Sequence, residues 1–257
     1  MLKDNYLLEK INNTNEVCFG TFAVIPNIET VDIISSSEID FIIIDGEHSP
    51  VSYQTAQNMV IACESNQTSP VYRVPKADQV FISKALDIGS HAIQLPNVEQ
   101  INDIENLISY GKYPPEGKRG FSPFTRASGY DPKNSSKIIS NTNNNTLLIA
   151  QIEGKLGIEN LETLLEFNKI DVFFIGLYDL SLYLGLPGQI DHSDVLSLFK
   201  SISSKVLNAG YKLGSIANSL SQAEFLINSK VKFLAYSVDS YMLKNSYQNI
   251  IKEIKRR

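Results

Sequence analysis

"FIIIDGEHSP", residues 41–50, opens on four apolar residues in a row and closes on three ionisable side chains, Asp45, Glu47 and His48. A short, β-branched apolar run of this kind predicts a strand buried on both faces, as in a parallel sheet covered by helices. Its charged end must then lie at an open edge of that sheet, where a site can form.

Seven more runs share its character: "VCFGTFAV" (17–24), "PVYRV" (70–74), "AIQLP" (92–96), "LLIAQIE" (147–153), "VFFIG" (172–176), "YKLGSIA" (211–217) and "FLAYSV" (233–238). Between them, segments such as "QTAQNMVIACES" and "VLSLFKSISSKVLNAG" repeat apolar residues at helical spacing, and Gly89 and Gly210 fall where helices stop. Parallel strands need such crossovers, and eight of them predict an α/β fold of the TIM (β/α)8 barrel type, a single domain over residues 1–257. The competing open, doubly wound sheet lacks support, since neither G-x-G-x-x-G nor G-x-x-x-x-G-K-[ST] occurs in the required place. The rhythm breaks at about 113–146, where Pro, Gly and then Asn and Ser accumulate. That composition predicts a long loop with a short helix inside, serving the site, with 141–146 as a tolerated surface insertion. A C-terminal helix is expected at about 241–255.

Composition excludes several classes of function. A formal charge of −5 offers no electrostatic footprint for nucleic acid, and no apolar run reaches the length of a membrane span or a signal peptide core, so a cytoplasmic protein is expected. The two cysteines, Cys18 and Cys63, read as reduced core residues.

In a barrel, residues just past the C-terminal ends of the strands face the active-site mouth. Those positions hold Asp45, Glu47, His48, Arg73, Asn97, Glu153, Asp179 and Asp239, and no lysine. Singly, each has a structural explanation in a helix cap or an ion pair. Together they point to chemistry. Glu153 and Asp179 are hard oxygen ligands suited to Mg2+ or Mn2+. His48 is the proton-transfer candidate, whereas His91 and His192 read as structural. A cation, a base and Arg73 fit the formation of an enolate.

At these residues the chain resembles the HpcH/HpaI family, the metal-dependent class II pyruvate aldolases that include 2,4-dihydroxyhept-2-ene-1,7-dioate aldolase. The resemblance rests on "FIIIDGEHSP", "PVYRVP", "KALDIGSHAIQLPNV", "KYPPEGKRG", "QIEGKLGIENLETLL" and "VFFIGLYDLSLYLGLPGQIDHSDV", in order from about Phe19 to Tyr247. It implies a divalent ion, Mg2+, Mn2+ or also Co2+, on Glu153 and Asp179, and His48 as base with Asp87 as its partner. Arg73 would stabilise the enolate, Asp45 and Glu47 would support the site, and Gln151 with the backbone of Gly176, Leu177 and Tyr178 would bind a 2-oxo acid. An aldehyde would be the second substrate, and a homo-oligomer, a trimer of dimers, is implied as well. Three features depart from the family pattern: Tyr178 replaces a small residue, Asn97 replaces an apolar one, and Phe124 and Arg126 in the long loop could meet a different acceptor. A related reaction on a similar scaffold, citrate synthesis in siderophore pathways, condenses oxaloacetate with an acyl thioester. It would be favoured if Asn97 or Arg126 bound a second carboxylate. A non-catalytic barrel would predict a broken pair of metal ligands, and the pair is present.

Overall fold

The computed structural model describes residues 5–256. Eight parallel strands, β1 (Cys18–Ala23), β2 (Phe41–Asp45), β3 (Ser69–Arg73), β4 (Ala92–Leu95), β5 (Leu147–Ile152), β6 (Val172–Ile175), β7 (Lys212–Ala217) and β8 (Val231–Val238), pair in sequence order and close on themselves. The fold is the expected (β/α)8 barrel. Its helices are α1 (Tyr6–Asn13), α2 (Ile28–Ser35), α3 (Tyr53–Ser65), α4 (Gln79–Asp87), α5 (Ile101–Gly111), α6 (Ser135–Asn145), α7 (Lys155–Glu159), α8 (Leu161–Leu164), α9 (Leu177–Tyr183), α10 (Ser193–Asn208), α11 (Leu220–Asn228) and α12 (Asp239–Lys255). Among the described residues no helix is long and apolar enough to cross a membrane.

Strand parity sorts the side chains into two cores. Residues facing outward, such as Ile42, Ile44, Ile93 and Phe173, pack against the helices, while Phe41, Ile43, Val71, Ile149, Phe174 and Phe233 fill the barrel. Inside, Phe41 lies stacked on Phe233 with centroids 3.8 Å apart. The ring takes the room left by Gly20, where a Cβ would fall 2.1 Å from it. Gly89 and Gly210 end α4 and α10 in left-handed conformations (φ +99° and +87°), as their positions in the sequence predict.

The rim at the N-terminal ends of the strands is covered in part by α1. Asn5 donates to the carbonyls of His91 (3.2 Å) and Asn145 (2.6 Å), and the Leu7 amide donates to Ser69 Oγ (3.2 Å), so α1 covers the N-terminal ends of β3 and β4. The long segment after α5 is on this same rim, because it leads from a returning helix into the start of β5. Within one chain the segment therefore does not reach the mouth of its own barrel. The Asn-rich run is not a surface insertion either: it forms the last turns of α6, with Asn143 buried. The Asn143 side chain accepts from the Tyr113 amide (2.7 Å) and donates to its carbonyl (3.0 Å), and the buried Lys112 ammonium donates to the carbonyls of Asn143 and Thr146. Polar composition there reflects internal hydrogen bonding of a connection that must turn without a β ladder. Cys18 and Cys63 are both buried and unpaired.

Because the barrel interior is filled by interlocking rings, Phe41→Ala should destabilise the protein by about 3–5 kcal/mol in denaturant unfolding; a loss below about 1 kcal/mol would show that the interior collapses around the gap.

Candidate active site

The inward-facing parity that buries Phe41 and Ile43 carries Asp45 to the top of β2, and the same alternation brings Arg73 to the top of β3 beside it, in register. Arg73 grips Asp45 with two parallel bonds, Nε to Oδ1 at 3.0 Å and Nη2 to Oδ2 at 2.7 Å. Its Nη1 lies 3.3 Å from Glu47 Oε2, and its guanidinium carbon sits 4.9 Å from the centre of the Phe22 ring. Burial alone would raise the Asp45 carboxyl, but the hydrogen bonds and charge of Arg73 hold it below the ordinary aspartate range. Asp45 also turns the chain that follows, accepting from the amides of Glu47 (3.0 Å) and His48 (3.2 Å). His48 is thereby set out at the mouth, with 69% of its side chain exposed and Nε2 3.6 Å from Glu47 Oε2.

Across the mouth stand Glu153 and Asp179. Both line one cavity of about 260 Å3, with Asn97, Gly154, Lys155, Leu182 and Tyr183. Burial, followed by the charge of Asp179, pushes Glu153 up to about 7. Asp179 is raised as well, by burial, although its own backbone amide, Arg73 and His48 oppose the shift. Glu47 is raised by burial against the pull of Arg73 and His48. Gly176 has to be glycine for this arrangement, since a Cβ there would fall 2.3 Å from Asp179 Oδ2.

Two buried carboxyl groups that resist ionisation together, with no lysine or arginine bonded to either among the described residues, are a donor set that fits a divalent cation. Among the described residues no group of three His, Cys, Asp or Glu side chains gathers as a metal site. Glu153 and Asp179 are the two side chains that could hold a cation there, and any further ligands would have to come from water or substrate.

Asn97 is explained by its backbone. It adopts a left-handed conformation (φ +51°), tolerated by Asn better than by bulkier residues, which aims its amide at Glu153 Oε1 (2.7 Å) and its side chain at Glu47 Oε1 (3.3 Å). Tyr178 swings outward, with 46% exposure, so its bulk does not fill the cavity. Leu177 is buried at the start of α9. Gln151, buried in the barrel, donates to Glu153 Oε2.

Asp87 lies elsewhere. It is the last residue of α4, a helix that runs back from the mouth, and five residues later β4 begins, so Asp87 sits on the opposite rim. A strand of β2's length separates the rims by roughly 15 Å. There Asp87 Oδ1 accepts from Arg119 Nη2 at 2.7 Å, and Arg119 is itself buried and stacked on Tyr113. Arg126 is on that rim too, bonded to the buried Glu64, which also meets His91 Nε2 at 3.2 Å. Neither Phe124 nor Arg126 reaches the mouth of its own barrel. Asp239 is at the mouth but committed to structure: its two oxygens accept from the amides of Val24 and Ile25, each at 3.1 Å. His192 caps α10. Lys155, Leu182 and Tyr183 are additions to the sequence-based set. Lys155 stands two residues past Glu153, just inside α7, so a lysine does line the mouth.

A closed parallel barrel with an acidic cluster, a histidine and an arginine at the C-terminal ends of its strands has the layout of a barrel enzyme. The chain belongs to the HpcH/HpaI aldolase/citrate lyase family, whose model matches residues 19–246. It is 30% identical over 243 residues to the hydroxypyruvate/pyruvate aldolase of Roseobacter denitrificans, covering 94% of each chain. It is 27% identical over 241 residues to the 5-keto-4-deoxy-D-glucarate aldolase of Shigella boydii, covering 94% of this chain and 93% of that one. The crystal structure of an HpcH/HpaI aldolase/citrate lyase family protein from Burkholderia cenocepacia superimposes with a TM-score of 0.91 at 22% identity, covering 98% and 99% of the two chains, a likeness of fold.

The raised carboxyl sets a pH dependence. A group whose folded pKa lies above its ordinary value contributes stability at low pH that is lost as pH rises, here between about 4.5 and about 7. In protein stripped of ions, Glu153→Gln should melt with the wild type near about pH 4 and above it near about pH 8; equal melting temperatures at both would contradict the burial of this charge.

Proposed function

We propose that the protein is a pyruvate aldolase that cleaves and forms 4-hydroxy-2-oxo acids with the help of a divalent cation. The observation that carries this reading is the meeting of Glu153 and Asp179 at one mouth with Arg73 and His48. When bound by the two carboxylates, a cation such as Mg2+ or Mn2+ supplies Lewis-acid polarisation of the 2-oxo acid.

The rest of the work falls to side chains. Arg73 spends two of its five N–H groups on Asp45 and pairs with the charge of Glu47, which fixes its plane and leaves N–H groups for a developing negative charge on the 2-oxo oxygen. Gln151 has one amide N–H beyond the bond to Glu153 and can donate it to the acid. The backbone N–H groups at Gly176, Leu177 and Tyr178 serve the carboxylate end. In the cleavage direction a base takes the proton of the 4-hydroxyl, the C3–C4 bond breaks, an aldehyde leaves, and C3 is protonated to give pyruvate. In the synthetic direction the C3 proton is removed and the new carbon–carbon bond forms at the aldehyde. His48, exposed at the rim, is the group that moves these protons, directly or through water. Glu47, beside both His48 and Arg73, holds the two in one electrostatic unit.

Asp87 has no route to His48 inside one chain, so its part in proton transfer is not included in this scheme. The acyl-transfer alternative loses its cationic contact, since Arg126 is held by Glu64 on the far rim. A homo-oligomer is in keeping with α12, where Tyr247, Ile250 and Ile254 are exposed.

The test is a screen of pyruvate against aldehydes, with cleavage of 4-hydroxy-2-oxo acids as its reverse. Chelation with EDTA should abolish turnover and added Mg2+ or Mn2+ should restore it, while His48→Ala should lower kcat by about 10²-fold or more. Full activity in EDTA would point to a Schiff base on a lysine such as Lys155. Thiol release from acetyl-CoA with oxaloacetate would replace the aldolase reading by acyl transfer.

A further inference from the structure

The barrel interior is apolar up to its last layer, where Gln94 stands fully buried beside Arg73. We propose that Gln94 is a positioning residue for the cation site: its amide holds Gln151 in the one orientation that donates to Glu153. This inference rests on the reading of Glu153 as a cation ligand.

The direction of the chain follows from hydrogen-bond inventory. In the form that binds a cation Glu153 is ionised and only accepts, so Gln151 must turn its NH2 towards it, as it does here. Gln151 Oε1 is then left pointing back into the barrel, where only a donor can satisfy it. Gln94 Nε2 supplies that donor at 2.6 Å. Gln94 Oε1 has no partner among the described residues. The unpaired acceptor therefore lies at the deep end of the chain, and every donor is directed towards the carboxylate.

Packing alone does not account for such a residue. A Met or Leu would fill the position without burying a polar atom that finds no partner, and buried amides are retained where their hydrogen bonds matter. Among the described residues the one hydrogen bond of the Gln94 side chain goes to Gln151, so its effect must pass through Gln151. Reversing the Gln151 amide would put its carbonyl oxygen against Glu153, acceptor facing acceptor. The reversal would also withdraw the second N–H that the 2-oxo acid would use.

Gln94→Met keeps the volume and removes the donor. With Mn2+ alone as the probe, calorimetry on the full chain should show affinity weakened by about 10-fold or more, the usual effect of losing a group that orients a metal ligand. A second readout needs no metal. In EDTA-treated protein the Gln151 side-chain NH2 should give two widely separated, slowly exchanging NMR signals in the wild type. Those signals should collapse towards free-amide values in Gln94→Met while the melting temperature stays close to that of the wild type. Unchanged Mn2+ affinity together with unchanged Gln151 signals would overturn the proposal. If the wild type binds no Mn2+, the cation reading fails by itself, and the amide signals still decide the role of Gln94.

Discussion

Two carboxyl groups that line one cavity at the mouth cannot both ionise without cost, and the nearness of Glu153 to Asp179 governs much of what surrounds it. Gly176 leaves room for Asp179 to turn back, Asn97 takes a left-handed conformation to bring an amide to Glu153, and Gln151 brings a second donor from the barrel. Each of these supports the carboxylate form that burial opposes. A divalent cation resolves the conflict more completely than any hydrogen bond can, because it supplies the missing positive charge.

Arg73 is the counterpart on the other side of the mouth. Its two bonds to Asp45 and its contact with Phe22 fix the guanidinium plane, and through Asp45 the same ion pair shapes the turn that presents His48. The barrel's top layer therefore joins the strand ends into one polar sheet of side chains, from Asp45 through Arg73 and from Gln94 through Gln151 to Glu153. The opposite rim has its own ion pairs, buried Arg119 with Asp87 and Arg126 with buried Glu64, which anchor the long connection between α5 and β5.

Strands were legible because burial on both faces demands unbroken apolar runs, and all eight are found within two residues of their predicted ends. Strand-end residues were legible for the same reason: once β2 and β5 are placed, Asp45 and Glu153 have to emerge at the mouth. Residues at helix ends were harder to place. Asp87 matched a family motif, yet helix polarity puts the last residue of α4 at the rim from which the next strand departs, a signal the alternation of elements already contained. The same parity assigns the 113–131 segment to that rim. The backbone role of Asn97 and the whole role of Gln94 were beyond reach, since a left-handed turn and an amide chain depend on which neighbours the closed barrel brings together. Lys155 escaped because it follows the strand end inside a helix too short to show a period.

The central claim is that Glu153 and Asp179 bind one divalent cation between them. Anomalous diffraction from crystals soaked in Mn2+ measures this directly. The account predicts a single strong peak between the two carboxylates, lost in Glu153→Gln; a peak at another site, or none in the wild type, would contradict it.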